Sequence, residues 1–309
     1  MKRAFALLLA LLLALSCALA EETAADEETI AVGETTGAAA AGFEPIPWDV
    51  TKSPNVPDPD CYLPDDAGYH DDSIDVRIET FHSDNGTLCY AMYVTIVDPS
   101  QLRTGTQASR APYKATALVS KMAERFNAVC AINDDYFGYH NEGIVYRNGK
   151  QIRMNPSIRR DELIIDENGD FHVITGTTRE KWEAYDGTIV HALCFGPALV
   201  IDGEINESAH DTKMNVGKDK KTQRIAIGQL GPLQYLVIAT NGPENKEKGG
   251  LTLMEMATLC QQKGMKIAYN LDGGSSSSLV LHNKKINGVG SKRRDVGGCI
   301  WFATLVPNE

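Results

Sequence analysis

The sequence predicts an α+β fold in which mostly antiparallel, mixed sheets pack with a few helices. Two observations support this class. Hairpin signals of the Asn-Gly and Asp-Gly type recur between alternating apolar runs, and amphipathic helical stretches are few. Two helix-to-strand units, which end at Asn133 and Asn270, suggest two related lobes in one domain.

The folded pattern begins with two strands, Ile74 to Phe81 and Leu88 to Val97, which a turn at Asn85-Gly86 joins. A helix is predicted over Ala111 to Asn127, where apolar residues recur at helical spacing and a proline lies near the start. The apolar run from Val129 to Asn133 then predicts a strand.

Further hairpins are predicted in the middle of the chain, at Asn148-Gly149, Asn168-Gly169 and Asp202-Gly203. Strands follow at Ile225 to Ile227 and Leu233 to Ala239. A helix is predicted from Thr252 to Lys263, because Thr252 and Glu255 form a capping box and Gly264 can end it. The next strand delivers Asn270 and Asp272 at its end.

The N-terminal quarter of the sequence is organised differently. Residues 1–20 have the cations, apolar run and small residues of a secretory signal, which predicts a secreted or cell-envelope protein. Residues 21–42 form an acidic Ala/Thr/Glu tether, predicted to be disordered because it contains few large apolar residues. An extended, proline-rich lead-in covers 43–72, and the folded domain is predicted over 73–309.

The charge and the cysteines exclude several classes of protein. Removing Lys2 and Arg3 with the signal changes the formal net charge from −11 to −13, which argues against nucleic acid or an anionic membrane as partner. No later segment resembles a membrane span. Six cysteines remain after Cys17 without a C-x-x-C pair, which disfavours zinc. Disulfides and buried free thiols both remain open.

The most informative segment is Asn270-Leu271-Asp272-Gly273-Gly274-Ser275-Ser276. A strand that ends in a carboxylate, two glycines and hydroxyls predicts a turn of backbone amides and small donors around Asp272. Such a turn suits an oxyanion or a sugar hydroxyl. An ordinary hairpin turn with a solvated aspartate is the alternative.

A second candidate site follows the strand that ends at Asn133. Two adjacent carboxylates, Asp134 and Asp135, cannot point the same way along an extended chain, so at most one is expected to face a pocket. A surface turn is the alternative. Arg224 and Arg294 offer planar guanidinium groups that match phosphate oxygens. The alternatives are an edge-strand arginine paired with a carboxylate and a solvated basic turn, respectively.

Other chemistries are less consistent with the sequence. G-x-S-x-G is absent, which disfavours a Ser-His-Asp hydrolase. Neither a Walker loop nor G-x-G-x-x-G is present, so no nucleotide cofactor is expected. No cofactor or metal is predicted. A calcium ion bridging Asp134, Asp135 or Asp272 is a secondary hypothesis, since oxygen ligands suit calcium.

Several motifs occur in the order of one known family. They are A-I-N-D-D-Y-F with Gly143, F-G-P-A-L-V around Gly196, Q-R-I-A-I-G, G-G-L-T-L-M-E-M-A before N-L-D-G-G-S-S, and R-R-D-V. From about Ser73 to Leu305 the chain resembles the phosphodiester glycosidase family. The resemblance implies hydrolysis of the bond between a sugar's anomeric carbon and a phosphodiester, in a cell-envelope or extracellular glycan such as an exopolysaccharide.

The resemblance also suggests roles for individual residues. Asp272 would act at the anomeric carbon as nucleophile, base or charge-stabilising carboxylate, and Arg224 would hold the phosphate. The substrate-binding set would be Asn133, Asp135, Asn270, Gly273, Gly274, Ser275, Ser276, Gly196 and Arg294. The chain has N-D-D-Y-F where the family usually has N-G-G-F-F, and Ser275 replaces the third glycine of D-G-G-G-S. These departures favour the alternative function, a non-catalytic glycan-binding or envelope-assembly protein that retains the pocket.

Overall fold

The computed structural model describes residues 42–243, 249–288 and 293–308. The predicted signal segment and all but the last residue of the predicted tether lie outside the described residues. The described helices are α1 (Val119–Phe126), α2 (Arg179–Glu183) and α3 (Leu253–Gln262). The described strands are β1 (Gly68–His70), β2 (Ile74–His82), β3 (Leu88–Ile96), β4 (Leu102–Thr106), β5 (Cys130–Asn133), β6 (Gly143–Arg147), β7 (Lys150–Asn155), β8 (Glu162–Asp166), β9 (Phe171–Ile174), β10 (Ile189–Leu193), β11 (Ala198–Ile201), β12 (Glu204–Ile205), β13 (Ile225–Gly231), β14 (Gln234–Thr240), β15 (Ile267–Asn270), β16 (Leu279–Leu281), β17 (Lys284–Lys285) and β18 (Gly298–Phe302).

These strands form three sheets, and the α+β prediction is confirmed. The largest sheet has the order β1-β2-β3-β14-β13-β15-β11-β12, and the two five-stranded sheets have the orders β7-β6-β10-β8-β9 and β17-β16-β5-β18-β4. Neighbouring strands are antiparallel throughout these described sheets. All four turns predicted from Asn-Gly or Asp-Gly connect paired strands. Because these turns allow positive φ, they pair consecutive strands locally.

One predicted helix is shorter than its sequence pattern. The helix expected over residues 111–127 begins only at Val119, because Ala117 forms a β-bridge with Val296 and Leu118 is the N-cap. The later helix, α3, has the predicted start: Thr252 and Glu255 form both hydrogen bonds of the capping box.

A common hydrophobic core lies between the three sheets, and helices cover their outer faces. The core includes side chains from every sheet, among them Val237, Ile132 and Leu163. On the outer faces, α3 packs on the eight-stranded sheet, α1 on the sheet that contains β5, and Trp182 of α2 on the sheet that contains β8. Burial on both faces makes the strands that lead to the site rigid supports.

The proline-rich lead-in is tied to this framework by the buried Arg103 of β4. Its guanidinium donates hydrogen bonds to the carbonyls of Ile46 (3.2 Å), Pro47 (3.1 Å), Trp48 (3.4 Å) and Val50, and it is fully buried. Because backbone carbonyls satisfy the arginine, residues 46–50 are held against the sheet although they form no helix or strand.

The cysteines in the described residues are free thiols, of which Cys61 is partly exposed and five are buried. No disulfide therefore joins the described segments. Among the described helices, none is long and apolar enough to cross a membrane.

Candidate active site

The ends of β5 and β15 meet, which brings the two predicted motifs together. The side chain of Asn133 donates from Nδ2 to the carbonyl of Asp272 (2.8 Å) and accepts at Oδ1 from the amide of Ser278 (2.9 Å). Asn133 is fully buried. It therefore ties the two motifs together, whereas the sequence suggested that it contacts substrate.

Asp272 presents a carboxyl group at this junction. The residue is partly exposed, and neither Asp272 Oδ2 nor Ser276 Oγ has a hydrogen-bond partner of normal geometry among the described residues. Burial raises the pKa of Asp272 above its ordinary value, while the nearby Ser276 hydroxyl and the Arg294 guanidinium lower it and Asp135 raises it. The carboxyl thus has a free oxygen and lies near a cation, as a site for a ligand requires.

Asp134 and Asp135 both reach the buried Arg147 at the end of β6. Arg147 Nη2 lies 2.5 Å from Asp135 Oδ1 and 3.6 Å from Asp134 Oδ2. At most one of the two carboxylates was expected to face a shared pocket, and only Asp134 keeps an oxygen without a hydrogen-bond partner among the described residues. The strand ends at Asn133, and the backbone turns so that Tyr136 has a φ of 57°. The alternation of an extended chain therefore no longer applies.

The two aspartates differ in whether a carboxyl oxygen remains without a hydrogen-bond partner. Asp135 is fully buried and uses both oxygens, since Oδ1 pairs with Arg147 and Oδ2 accepts from the amide of Cys194 (2.8 Å). Asp135 therefore positions other groups, whereas the sequence suggested a substrate contact. Asp134 Oδ2, in contrast, has no hydrogen-bond partner among the described residues. Gly298 makes room for it, because a Cβ there would lie 2.2 Å from this oxygen.

Asp134 has an unusual proton affinity. Burial and the charges of Asp135 and Asp272 raise its pKa to about 7, against the opposing effects of Arg147 and the amide of Tyr136. The ordinary value for aspartate is about 3.9. A buried carboxyl group therefore retains its proton near neutral pH beside Asp272.

Two further titratable groups lie in the same region. Burial raises the pKa of Glu162 well above its ordinary value; its Oε1 accepts from the amide of Ile144 (2.9 Å), and its Oε2 has no hydrogen-bond partner among the described residues. Burial, followed by Arg160, lowers the pKa of His140 to about 4, so this imidazole is neutral at pH 7. The neutral His140 imidazole therefore contributes polar atoms without net charge.

Arg224 does not join this cluster of carboxyl groups. Its guanidinium donates to the carbonyls of Leu251 (3.0 Å), Val216 (3.0 Å), Gly217 (2.7 Å) and Lys220 (3.1 Å), and the residue is 3% exposed. Leu251 and Val216 belong to the packing of α3 on the outer face of the large sheet. The structure therefore corrects the predicted phosphate clamp: Arg224 anchors a loop and has no free face for a ligand.

Arg294 is the predicted arginine that lies near Asp272. It is exposed, lies over the ring of Tyr136 at 5.1 Å and donates to the Tyr136 hydroxyl (3.2 Å). Tyr136 stacks on Tyr139 at 4.6 Å, and Lys114 lies over Tyr139. This column of rings and cations orients the Arg294 guanidinium beside the carboxyl cluster.

The glycine-serine turn is more closed than the sequence suggested. The amide of Gly274 donates to the carbonyl of Gln223 (2.9 Å), and residues Gly274–Ser276 form a 3₁₀ turn in which Ser276 and Ser277 donate back to the turn. A Cβ at Gly273 would lie 2.7 Å from the Gln223 carbonyl oxygen. Glycine is therefore needed for close backbone packing, while Ser275 lines a separate cavity with Asn241.

Asn270 and Gly196 contact one another. Asn270 Nδ2 donates to the carbonyl of Gly196 (2.9 Å), and Asn270 Oδ1 has no hydrogen-bond partner among the described residues. Gly196 has a φ of 65° and precedes a cis proline. Gly196 thus positions Asn270, which retains a free acceptor.

The sequence did not indicate Arg147, Glu162 and His140 as members of the cluster. A lone arginine ending the apolar run G-I-V-Y-R was the signal available for Arg147.

A family model described as phosphodiester glycosidase matches residues 126–303, which include every group of the cluster. The chain belongs to the phosphodiester glycosidase family. The carboxyl cluster of this phosphodiester glycosidase therefore lies entirely within the segment that defines the family. No curated protein matches the sequence significantly.

Two solved structures have a similar fold. The zebrafish N-acetylglucosamine-1-phosphodiester alpha-N-acetylglucosaminidase catalytic domain, auto-inhibited by its pro-peptide, matches with a TM-score of 0.60 and 18% identity, over 75% of this chain and 83% of that one. A hypothetical protein from Synechocystis matches with a TM-score of 0.51 and 17% identity, over 74% of this chain and 62% of that one. At these identities the likeness shows that this phosphodiester glycosidase shares their fold.

No site for a metal ion is formed in the described part of the chain by three or more His, Cys, Asp or Glu side chains. Arg147 supplies the positive charge beside Asp134 and Asp135. The residues present thus balance these carboxylates with a guanidinium.

Proposed function

We propose that this protein is an exported hydrolase that cleaves the bond between a sugar's anomeric carbon and a phosphodiester in a cell-envelope or extracellular glycan. One observation carries the proposal. Asp272 contributes to the raised pKa of Asp134, burial raises the pKa of both groups, and each has an oxygen without a hydrogen-bond partner among the described residues. Carboxyl pairs with different proton affinities are the usual means of glycoside hydrolysis.

Asp272 is the member of the pair that acts at the anomeric carbon. The Arg294 cation and the Ser276 hydroxyl favour its ionised form. An ionised carboxylate there takes a proton from the attacking water or bonds to the anomeric carbon itself, and it stabilises positive charge on the sugar ring.

Asp134 is the member that holds a proton near neutral pH. It donates that proton to the leaving phosphate oxygen as the bond to the anomeric carbon breaks, which yields the free sugar and a phosphomonoester. In the neutral form it also removes a negative charge that would repel the phosphodiester. Arg147 balances the charge of Asp135 beside it.

Arg294 takes the role that the sequence suggested for Arg224. One of its N–H groups donates to Tyr136, and its exposure leaves the others available to phosphate oxygens. The family name and the similar fold of the zebrafish enzyme agree with a phosphorylated sugar as substrate.

The proposal is tested by turnover of a model substrate. Purified wild-type protein, incubated with a sugar 1-phosphodiester that carries a chromogenic alcohol, is expected to release the free sugar and a phosphomonoester in equal amounts. Asp202→Asn is a matched control, because Asp202 lies in an exposed turn with a φ of 52° that asparagine also adopts. Binding without release of any sugar would support the second candidate, a non-catalytic glycan-binding protein.

Activity is expected to fall as the pH rises above about 7, because Asp134 then loses the proton that it donates. Asp134→Asn should lower kcat about 10²–10⁴-fold and remove this alkaline limb. The folded state binds this proton more tightly than the unfolded chain does. Wild-type stability from this group should therefore decrease as the pH rises from about 4 to about 7.

The pH dependence is checked by kcat at fixed ionic strength and by urea unfolding of both proteins over the same pH range. A wild-type rate that stays constant from pH 6 to pH 9, or an Asp134→Asn protein with the same alkaline limb, would remove Asp134 from the mechanism.

A further inference from the structure

A second cavity adjoins the carboxyl cluster, on the other side of Arg147. Its volume is about 420 Å³, within the range of small-molecule sites. Its lining contains four basic residues and no aspartate or glutamate: Lys52, Arg125, Arg147 and Lys150. Hydroxyl and amide side chains, including Thr106 and Asn148, make up much of the rest.

The positive charge of the residues that line this cavity is unusual for the protein. The chain has 41 acidic and 30 basic residues, so a concave surface with only basic charged groups is not explained by composition. Clefts lined by one sign of charge concentrate the field and attract ions of the opposite sign. Lys52, Arg125 and Lys150 are exposed, whereas Arg147 is 5% exposed and its Nε has no hydrogen-bond partner among the described residues.

Residues of the proline-rich lead-in form one wall of this cavity. Arg103 fixes the carbonyls from Ile46 to Val50, and Thr51 and Lys52 follow directly. On the opposite wall, Asn148 is held by hydrogen bonds between its side chain and both the amide (3.2 Å) and the carbonyl (2.9 Å) of Thr104. The basic groups thus converge from separate parts of the chain onto one cavity.

The cavity lies close to the carboxyl cluster. Arg147 belongs to both. In addition, a Cβ atom built on Gly298 would lie within 3 Å of two oxygen atoms, the carbonyl oxygen of Gly105, which lines the cavity, and Oδ2 of Asp134, which belongs to the cluster. A glycan with phosphate groups along its length can therefore place one at Arg294 and another in this cavity.

We propose that this cavity is a second oxyanion site, which binds a phosphate group of the glycan at a position other than the bond that is cleaved. The chemistry recognised is a phosphomonoester or phosphodiester, held by lysine and arginine cations and by hydroxyl donors. The proposal extends the proposed function, but phosphate binding here does not require turnover.

The test is an NMR titration of the full-length Asp272→Asn protein, which is expected to be inactive, with inorganic phosphate and with a sugar 1-phosphate. The amides of Thr104, Thr106 and Asn148 are expected to shift with saturation. The double variant Lys52→Gln/Lys150→Gln should weaken this response about tenfold, equivalent to about 1.4 kcal/mol. It should leave the separate response near Asp272 and Arg294 in place.

The matched control is Lys121→Gln/Lys284→Gln, which removes two exposed lysines elsewhere and changes the net charge equally. It should retain wild-type phosphate affinity at the cavity. No shift at Thr104, Thr106 and Asn148, or equal weakening in both double variants, would overturn the proposal. Failure of catalysis together with a retained cavity response would count against the proposed function alone.

Discussion

Replacing Asp272 by asparagine is expected to reduce kcat for a sugar 1-phosphodiester by about 10²–10⁴-fold or more, with a small change in KM. The amide has the shape of the carboxyl group but can neither accept a proton from water nor carry a negative charge opposite the developing cation. The fold should be unaffected, since Asn133 binds the main-chain carbonyl of residue 272, which the substitution retains.

Steady-state kinetics and thermal unfolding of Asp272→Asn and wild type measure the two effects separately, with Asp202→Asn as the control for an exposed aspartate. Turnover by Asp272→Asn within about twofold of wild type would place the reaction elsewhere. Loss of turnover together with loss of cooperative unfolding would instead indicate a structural role.

Arg294→Ala should raise KM more than it lowers kcat if the guanidinium mainly binds the phosphate already in the ground state.

Local signals in the sequence predicted the supports of this site well. The Asn-Gly and Asp-Gly turns pair neighbouring strands, and the Thr252–Glu255 capping box starts α3, because both depend on residues within a few positions of each other. The sequence also indicated that two polar motifs each end a buried strand, but it suggested a substrate contact for Asn133 and not its hydrogen bond to the Asp272 carbonyl.

The roles of the arginines could not be predicted in the same way. Arg224 and Arg147 both flank apolar strands, and the sequence pattern does not distinguish them. In the structure, Arg224 is satisfied by four loop carbonyls, whereas Arg147 faces two carboxylates that precede it by 12 and 13 positions. The partner of a buried cation depends on how distant strands and loops pack. This packing also explains why Asp134 and Asp135 can lie beside one another, since both contact Arg147.

The pairing of Arg147 predicts a large effect on stability. Arg147→Met should lower the free energy of unfolding by about 3–5 kcal/mol at pH 7.5, because it leaves the buried carboxyl group of Asp135 without its ion-pair partner. Arg147 also donates to the carbonyls of Tyr146 (3.0 Å) and Ala192 (2.7 Å), which methionine cannot replace.

Urea unfolding of a double-mutant cycle isolates the charge from the packing. Adding Asp135→Asn to Arg147→Met should recover part of the lost stability, since the amide removes the unpaired charge while retaining an acceptor for the Cys194 amide. Arg179→Met is the control: its pair with Glu183 is exposed on α2, and its loss should cost at most about 0.5 kcal/mol. If Arg147→Met proved no more destabilising than Arg179→Met, or if Asp135→Asn gave no recovery, the buried ion pair could not be what holds Asp135 in place and balances the charge beside Asp134.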